Sequence, residues 1–233
     1  VGEVVAERDV PQWIQTHTGL SAYPLDIKKE QINILDIAHA LGHQCRFSGH
    51  CAWFYSVAQH SYYVSVIVQM LGGTPLDQLC GLLHDASEAY LVDLPTPVKC
   101  QVVGYKEAEH KVMNVICDAF QIPPPEYSSP GYVTGSGWDL VKKADAIALA
   151  TEARDLMGNP QTWRLEESPV DWKIDRWKIN DSRAVFRMQY HALLEQVTGG
   201  AESRYWVDRV KQVSGRFDPR LQKKIDNPLE ARP

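Results

Sequence analysis

An all-α fold is what the sequence predicts, on three observations. Apolar residues recur at helical spacing through most of residues 34–157 and again over 182–197. The breaks between those stretches carry helix stop and start signals, as in GGTP and DLPTP. A chain of 233 residues with 44% hydrophobic content is long and apolar enough to bury a full core.

The first helix is read from INILDIAHALGHQC, where Ile34, Ile37, Ala38 and Leu41 share one face. The second comes from YSVAQHSYYVSVIVQML, with Val57, Val64, Ile67, Val68 and Leu71 inward, and GGTP stops it. Thr74 is a good N-cap and Pro75 a good first helical residue, so a third helix is expected over 76–90, ended by DLPTP. A fourth follows over 105–120. QIPPPEYSSPGYVTGSGW then brings four Pro and three Gly, a loop whose length suits a functional flap or an insertion better than a tight connector. The helix in DLVKKADAIALATEARDLM turns Ala144, Ile147, Ala148 and Leu156 inward. Residues 158–181 are irregular and hold Trp163, Trp172 and Trp177, and a last helix over 182–197 closes the body.

The tail 204–224, with seven Lys or Arg against two Asp, reads as a solvated helix and a fraying end. The expected organisation is an N-terminal loop segment (1–33), a catalytic core (34–157) and a helical C-terminal extension packed on the same domain (158–233). No repeat of 20 to 50 residues is present.

Composition narrows the class. There is no run of 18 apolar residues, and VGEVVAERDVPQW has neither a basic start nor an apolar stretch, so neither a membrane span nor a signal peptide is expected. Five irregularly spaced cysteines fit reduced thiols in the cytoplasm better than a disulfide framework. A net charge of −5 argues against a nucleic-acid partner, while leaving room for a basic pocket that takes one small phosphate ester.

The chemistry is concentrated in GLLHDASEAYLVDLPTPVK, which sets His84, Asp85, Glu88 and Asp93 behind an apolar Leu82-Leu83 pair. Polar groups so placed are costly if they serve packing alone. His84 and Asp85 are about 100° apart around a helix and can reach one point beside it. His60 lies among the apolar positions of the second helix, and Asp145 sits on the apolar stripe of KKADAIAL. These outliers explain one another if they converge on one divalent ion, with Mn²⁺, Co²⁺, Fe²⁺, Zn²⁺ or Mg²⁺ as candidates. Glu88, at i+4 from His84, faces the same side and can align or deprotonate water. Asp93 can serve as a general acid or bind a sugar hydroxyl, and Lys99 and Arg46 are candidate phosphate partners, with His50 as a further donor.

Other pairings are weaker. His39 and His43 could form a second metal pair, but the Glu of an HExxH site is missing. Cys45, His50 and Cys51 suggest zinc without a second pair to complete four ligands. His17 reads as packing, and His110 and His191 as helix-surface residues.

The pattern of a His, then His-Asp, then a distant Asp resembles the HD superfamily of metal-dependent phosphohydrolases. HDASEAYLVDLPTPVK is similar to the signature of bacterial HD-domain 5′-deoxynucleotidases and of phage-type HD phosphohydrolases and deoxynucleoside triphosphate hydrolases. The likeness covers about residues 34–157, and it makes the expected fold an HD-domain helical bundle. It implies His60, His84, Asp85 and Asp145 as metal ligands, Glu88 as the water-activating acid and Asp93 as a second catalytic carboxylate. It also implies that Arg46 and Phe47 match the Arg-aromatic pair that contacts phosphate and nucleoside. The implied function is removal of phosphate from (deoxy)nucleotides, as a dNMP 5′-nucleotidase or a dNTP phosphohydrolase, dATP among its substrates.

Homo-oligomers are common in that family, so the resemblance points to one here. Two features depart from the 5′-deoxynucleotidases: a shorter interval from His60 to His84, and Val92 where they usually carry Gly. HD-GYP phosphodiesterases need a Gly-Tyr-Pro element that this chain lacks, and alarmone hydrolases need an acid where it has Ala89. A non-catalytic nucleotide sensor on the same scaffold is the alternative from another class, and an intact Glu88 argues against it.

Overall fold

A computed structural model describes residues 12–125 and 137–199. The expectations for residues 126–136 of the Pro/Gly loop and for the tail 204–224 lie outside the described residues. Described structure is predominantly helical: α1 (Ile34–His43), α2 (Val57–Met70), α3 (Pro75–Leu83), α4 (Glu88–Leu91), α5 (Thr96–Lys99), α6 (Tyr105–Phe120), α7 (Gly137–Leu156) and α8 (Ile179–Thr198). The N-terminal segment, expected as loop, also holds a two-stranded antiparallel hairpin, β1 (Ile14–Gln15) and β2 (Ser21–Ala22), with Ile14 opposite Ala22.

Side-chain caps set several helix starts. Asn33 accepts from the Leu35 N–H and Ser56 from the Gln59 N–H, each satisfying a donor left open by the first turn. Thr74 and Asp77 form a reciprocal capping box ahead of Pro75. The α8 helix begins at Ile179, earlier than its apolar pattern suggests, because Asp181 accepts from the Lys178 N–H and caps the preceding turn.

The helix expected over 76–90 is broken. After α3 ends at Leu83, the N–H groups of Ala86, Glu88 and Ala89 reach carbonyls three residues back rather than four. This overwound stretch rotates Glu88 relative to α3 before α4 resumes. Propensity does not report it, since every residue there is compatible with a regular helix.

α2 lies at the centre, packed by α3, α7 and α8 and buried nearly all round. At Gly81 α3 lies close against it: a Cβ there would stand 3.1 Å from Val68 Cγ2 and 3.4 Å from Ser65 Cα. That close approach carries His84 toward His60. A smaller second core gathers Tyr55, Tyr63, Leu156 and Ile174, with Trp172 and Trp177 from the C-terminal segment against it. The end of α7 ties that segment down: Arg154 donates to the Val170 and Trp172 carbonyls, and Asp155 accepts from the Ile174 N–H. Among the described residues no helix is long and apolar enough to cross a membrane.

Candidate metal centre

His60, His84 and Asp145 come from α2, the end of α3 and the middle of α7, and their ligand atoms all lie within 4.8 Å of one another. His60 Nε2 is 3.3 Å from His84 Nε2 and 3.2 Å from Asp145 Oδ1. Asp85 adds its Oδ2 at 3.2 Å from His84 Nε2 and 3.6 Å from His60 Nε2.

The tautomers make this convergence informative. His84 Nδ1 lies 2.8 Å from the Gly81 carbonyl oxygen, which can only accept, so Nδ1 carries the hydrogen. His60 Nδ1 lies 2.5 Å from Glu152 Oε1 and donates in the same way. In the neutral rings both Nε2 atoms therefore present lone pairs to each other and to two carboxylates. Four electron-pair donors meeting at one point require positive charge between them. Protons supply it in the absence of metal: burial opposes the charged form of His84, but Asp85 and then Asp145 outweigh burial and push the ring up to about 9. His60 is likewise raised against burial and Arg46, chiefly by Glu152 and Asp145. A divalent cation fits the same donor set and displaces those protons. Asp145, with its side chain 45% exposed, is the open side of a cluster whose His60 is fully buried.

Glu152 was not anticipated from the sequence. It sits two turns after Asp145 on α7, fully buried, and accepts from His60 Nδ1, from the Tyr55 hydroxyl at 2.9 Å and from Arg46 at 3.2 Å. Although burial works against its ionised form, Arg46 and His60 hold its carboxyl below the usual range. An acid at i+7 from Asp145 was the signal available.

Arg46 extends from the loop before α2, with NH1 3.5 Å from Asp85 Oδ2. Its chain passes through a constrained turn in which Phe47 and Ser48 both adopt left-handed φ values, +56° and +52°. The Phe47 ring lies 5.3 Å from the Arg46 guanidinium carbon and meets Trp163 edge-on at 5.8 Å.

Glu88 is buried. Its Oε1 is 3.5 Å from Lys99 Nζ, and its Oε2 has no hydrogen-bond partner among the described residues. Burial, with Asp85 and Asp93 nearby, pushes the carboxyl up to about 9. Gln44 braces the loop that follows, donating to the Glu88 carbonyl at 2.9 Å and accepting from the Asp93 N–H at 2.8 Å. Burial also raises the Asp93 carboxyl, against the pull of Arg46. Between them Val92 takes φ +74°, the backbone region that favours glycine.

Other sequence candidates fall differently. Lys99 pairs with Glu109 at 2.7 Å as well as with Glu88, so acidic partners already meet its charge. His50 is exposed and, among the described residues, makes no hydrogen bond or ion pair with the cluster. Cys45 and Cys51 bring their sulfurs to 3.6 Å, with no third metal ligand beside them among the described residues. His39 and His43 stack with His17 away from the centre.

No protein-family profile matches the sequence. YfdR, an uncharacterized protein of Escherichia coli K12, is 41% identical over 144 residues, covering 62% of this chain and 72% of YfdR. RCAP_rcc00048, an uncharacterized protein of Rhodobacter capsulatus, is 28% identical over 199 residues, 80% of this chain and 98% of that relative. These names carry no activity across to the chain. The likeness to YfdR spans most of that protein at high identity, and the chain belongs to the YfdR family.

Proposed function

We propose that the chain is an HD-type phosphohydrolase that removes phosphate from (deoxy)nucleotides, mono- or triphosphates, with one divalent ion. The observation that carries this reading is the convergence of His60 Nε2, His84 Nε2, Asp85 Oδ2 and Asp145 Oδ1 beside a buried arginine and a buried, half-unpartnered glutamate. Bound by those four residues, the ion supplies Lewis acidity to a phosphoryl oxygen and to water.

Arg46 offsets charge on the phosphoryl group from a side chain held in place by Asp85 and Glu152. Glu88 takes the proton of the attacking water. Its raised affinity for protons reflects burial next to Asp85, and a cation at the cluster relieves the Asp85 contribution. Asp93 protonates the leaving oxygen or holds a sugar hydroxyl. Phe47, fixed edge-on by Trp163, offers an apolar face for the nucleoside one step beyond Arg46. Lys99, paired with Glu88 and Glu109, steadies Glu88 in this scheme.

Phosphate release from a panel of deoxynucleoside mono-, di- and triphosphates, with Mn²⁺, Co²⁺ or Mg²⁺, tests the proposal. Asp85→Ala is expected to lose metal and turnover together. Glu88→Ala keeps metal and loses turnover by at least about a hundredfold. Nucleotide binding without release under any metal would reject the enzyme in favour of a sensor.

A further inference from the structure

A second group of polar side chains lies apart from the metal centre and has no role in the proposed reaction. A cleft of about 300 Å³ runs between the N-terminal hairpin, α1 and α4, lined by Thr16, His17, Asp36, His39 and Tyr90. His17 and His39 stack face to face with centroids 3.7 Å apart and 8° between planes, and His43 continues the stack at 4.2 Å. His43 Nδ1 donates to the His39 carbonyl at 2.7 Å. Asp36 is already engaged by the backbone N–H and hydroxyl of Thr18, at 2.7 and 2.8 Å.

Two arginines of α8 complete the group. Arg183 lies flat across α1, so close that a Cβ on Gly42 would come within 2.3 Å of its Cγ. Among the described residues it donates to Asn180 Oδ1 at 3.4 Å and has no carboxylate within ion-pair distance. Arg187 follows one turn later, half-buried, and its Nε is buried without a partner among the described residues, as is His39 Nδ1.

We propose that Arg183 and Arg187, together with the His17, His39 and His43 stack, form a second ligand site that binds the phosphate group of a small phosphorylated molecule whose body occupies the cleft. Half-buried cations without acidic partners are costly; the orphaned Arg187 Nε is a donor awaiting an acceptor, and His39 Nδ1 is an unpartnered ring nitrogen that becomes one on protonation. The single acid of the cluster does not neutralise them: Asp36 lies six residues from Gly42, about 9 Å along α1, and its oxygens are taken by Thr18. The phosphate therefore belongs at the arginine end and the rest of the ligand beside Thr16 and Tyr90. The local field agrees. After burial, Arg183 is the strongest influence lowering both His17 and His39, and His39 is pushed down to about 4. An anion there would reverse that field and draw protons onto the stack.

The test uses full-length protein stripped of metal and carrying Arg46→Gln, so that phosphate has no purchase at the metal centre. Inorganic phosphate is titrated at constant ionic strength while the histidine side-chain resonances are followed by NMR. Saturable movement of His17 and His39, with His60 and His84 still, is expected. Arg183→Gln with Arg187→Gln should weaken binding by about tenfold or more. If that pair fails to fold, Arg183→Lys with Arg187→Lys serves instead, and about threefold weakening is expected from loss of the planar donor fork. No movement in the parent protein, equal movement with chloride, or unchanged affinity in a folded variant overturns the site. The readout requires neither metal nor turnover, so it stands or falls independently of the phosphohydrolase proposal.

Discussion

Replacing Glu152 by Ala removes a buried carboxylate and should disturb three partners at once. The carboxylate accepts from His60 Nδ1 at 2.5 Å, from the Tyr55 hydroxyl at 2.9 Å and from Arg46 at 3.2 Å. A methyl group accepts no hydrogen bond, so all three buried donors lose this acceptor. Two consequences differ in size. His60 loses the partner that holds its Nδ1 hydrogen, and loss of such an outer carboxylate typically lowers metal affinity by about 10–100-fold. Arg46 keeps only Asp85 at 3.5 Å, so a buried cation is half-compensated and stability should fall by about 3 kcal/mol. Competition with a chromophoric chelator measures the first and denaturant unfolding the second. The ¹⁵N shifts of His60 separate positioning from general destabilisation: a single Nδ1-protonated tautomer in the parent should become a mixture in the variant. Metal affinity within twofold of the parent, with an unchanged tautomer, would refute the assignment of Glu152 as the residue that orients His60.

Val92→Gly should raise stability by about 1 kcal/mol, because a half-exposed β-branched residue held at φ +74° stores backbone strain that glycine does not; Val92→Ala should leave the unfolding midpoint nearly unchanged. Gly81→Ala pushes a methyl to 3.1 Å from Val68 Cγ2 at the α2–α3 contact and should cost about 1–3 kcal/mol, with weaker metal binding by calorimetry because His84 is three residues further on. Asp155 is 4% exposed, and although burial opposes its charge, Arg154, Lys173 and the Ile174 N–H hold its carboxyl well below the usual range. Its folded affinity for protons is thus lower than its unfolded one, so the stability it contributes is present above about pH 4 and lost as pH falls further. Asp155→Asn should therefore cost about 2 kcal/mol at neutral pH and progressively less in acid, as followed by denaturant titration across that range.

Much of the architecture was legible because its determinants are local. Ile34, Ile37, Ala38 and Leu41 mark a helical face within eight consecutive residues, and Thr74 with Pro75 marks a start whose capping box closes within one turn. The overwinding between Leu83 and Glu88 was not legible. A tightened turn uses the same residue types as a regular one and is chosen by where its side chains must point. Lys99 and His50 show the complementary limit: their cationic or donor character is read from one residue, whereas the pairing of Lys99 with Glu109 of α6 and the exposure of His50 after the turn at Arg46 are set by the fold.

The linear order of residues was enough to nominate His60, His84, Asp85 and Asp145, since each is a polar outlier against an apolar helical pattern and such outliers are costly unless they share a purpose. Which nitrogen each histidine presents, and what holds it there, came from contacts across the fold: Glu152 reaches His60 across 92 residues and Gln44 braces Glu88 and Asp93 from just past the end of α1. The same holds for the stack of His17 on His39 and the reach of Arg183 over Gly42. Helical periodicity and capping act within one or two turns and are written in consecutive residues, whereas the partner of a buried side chain depends on which helices pack together and how closely.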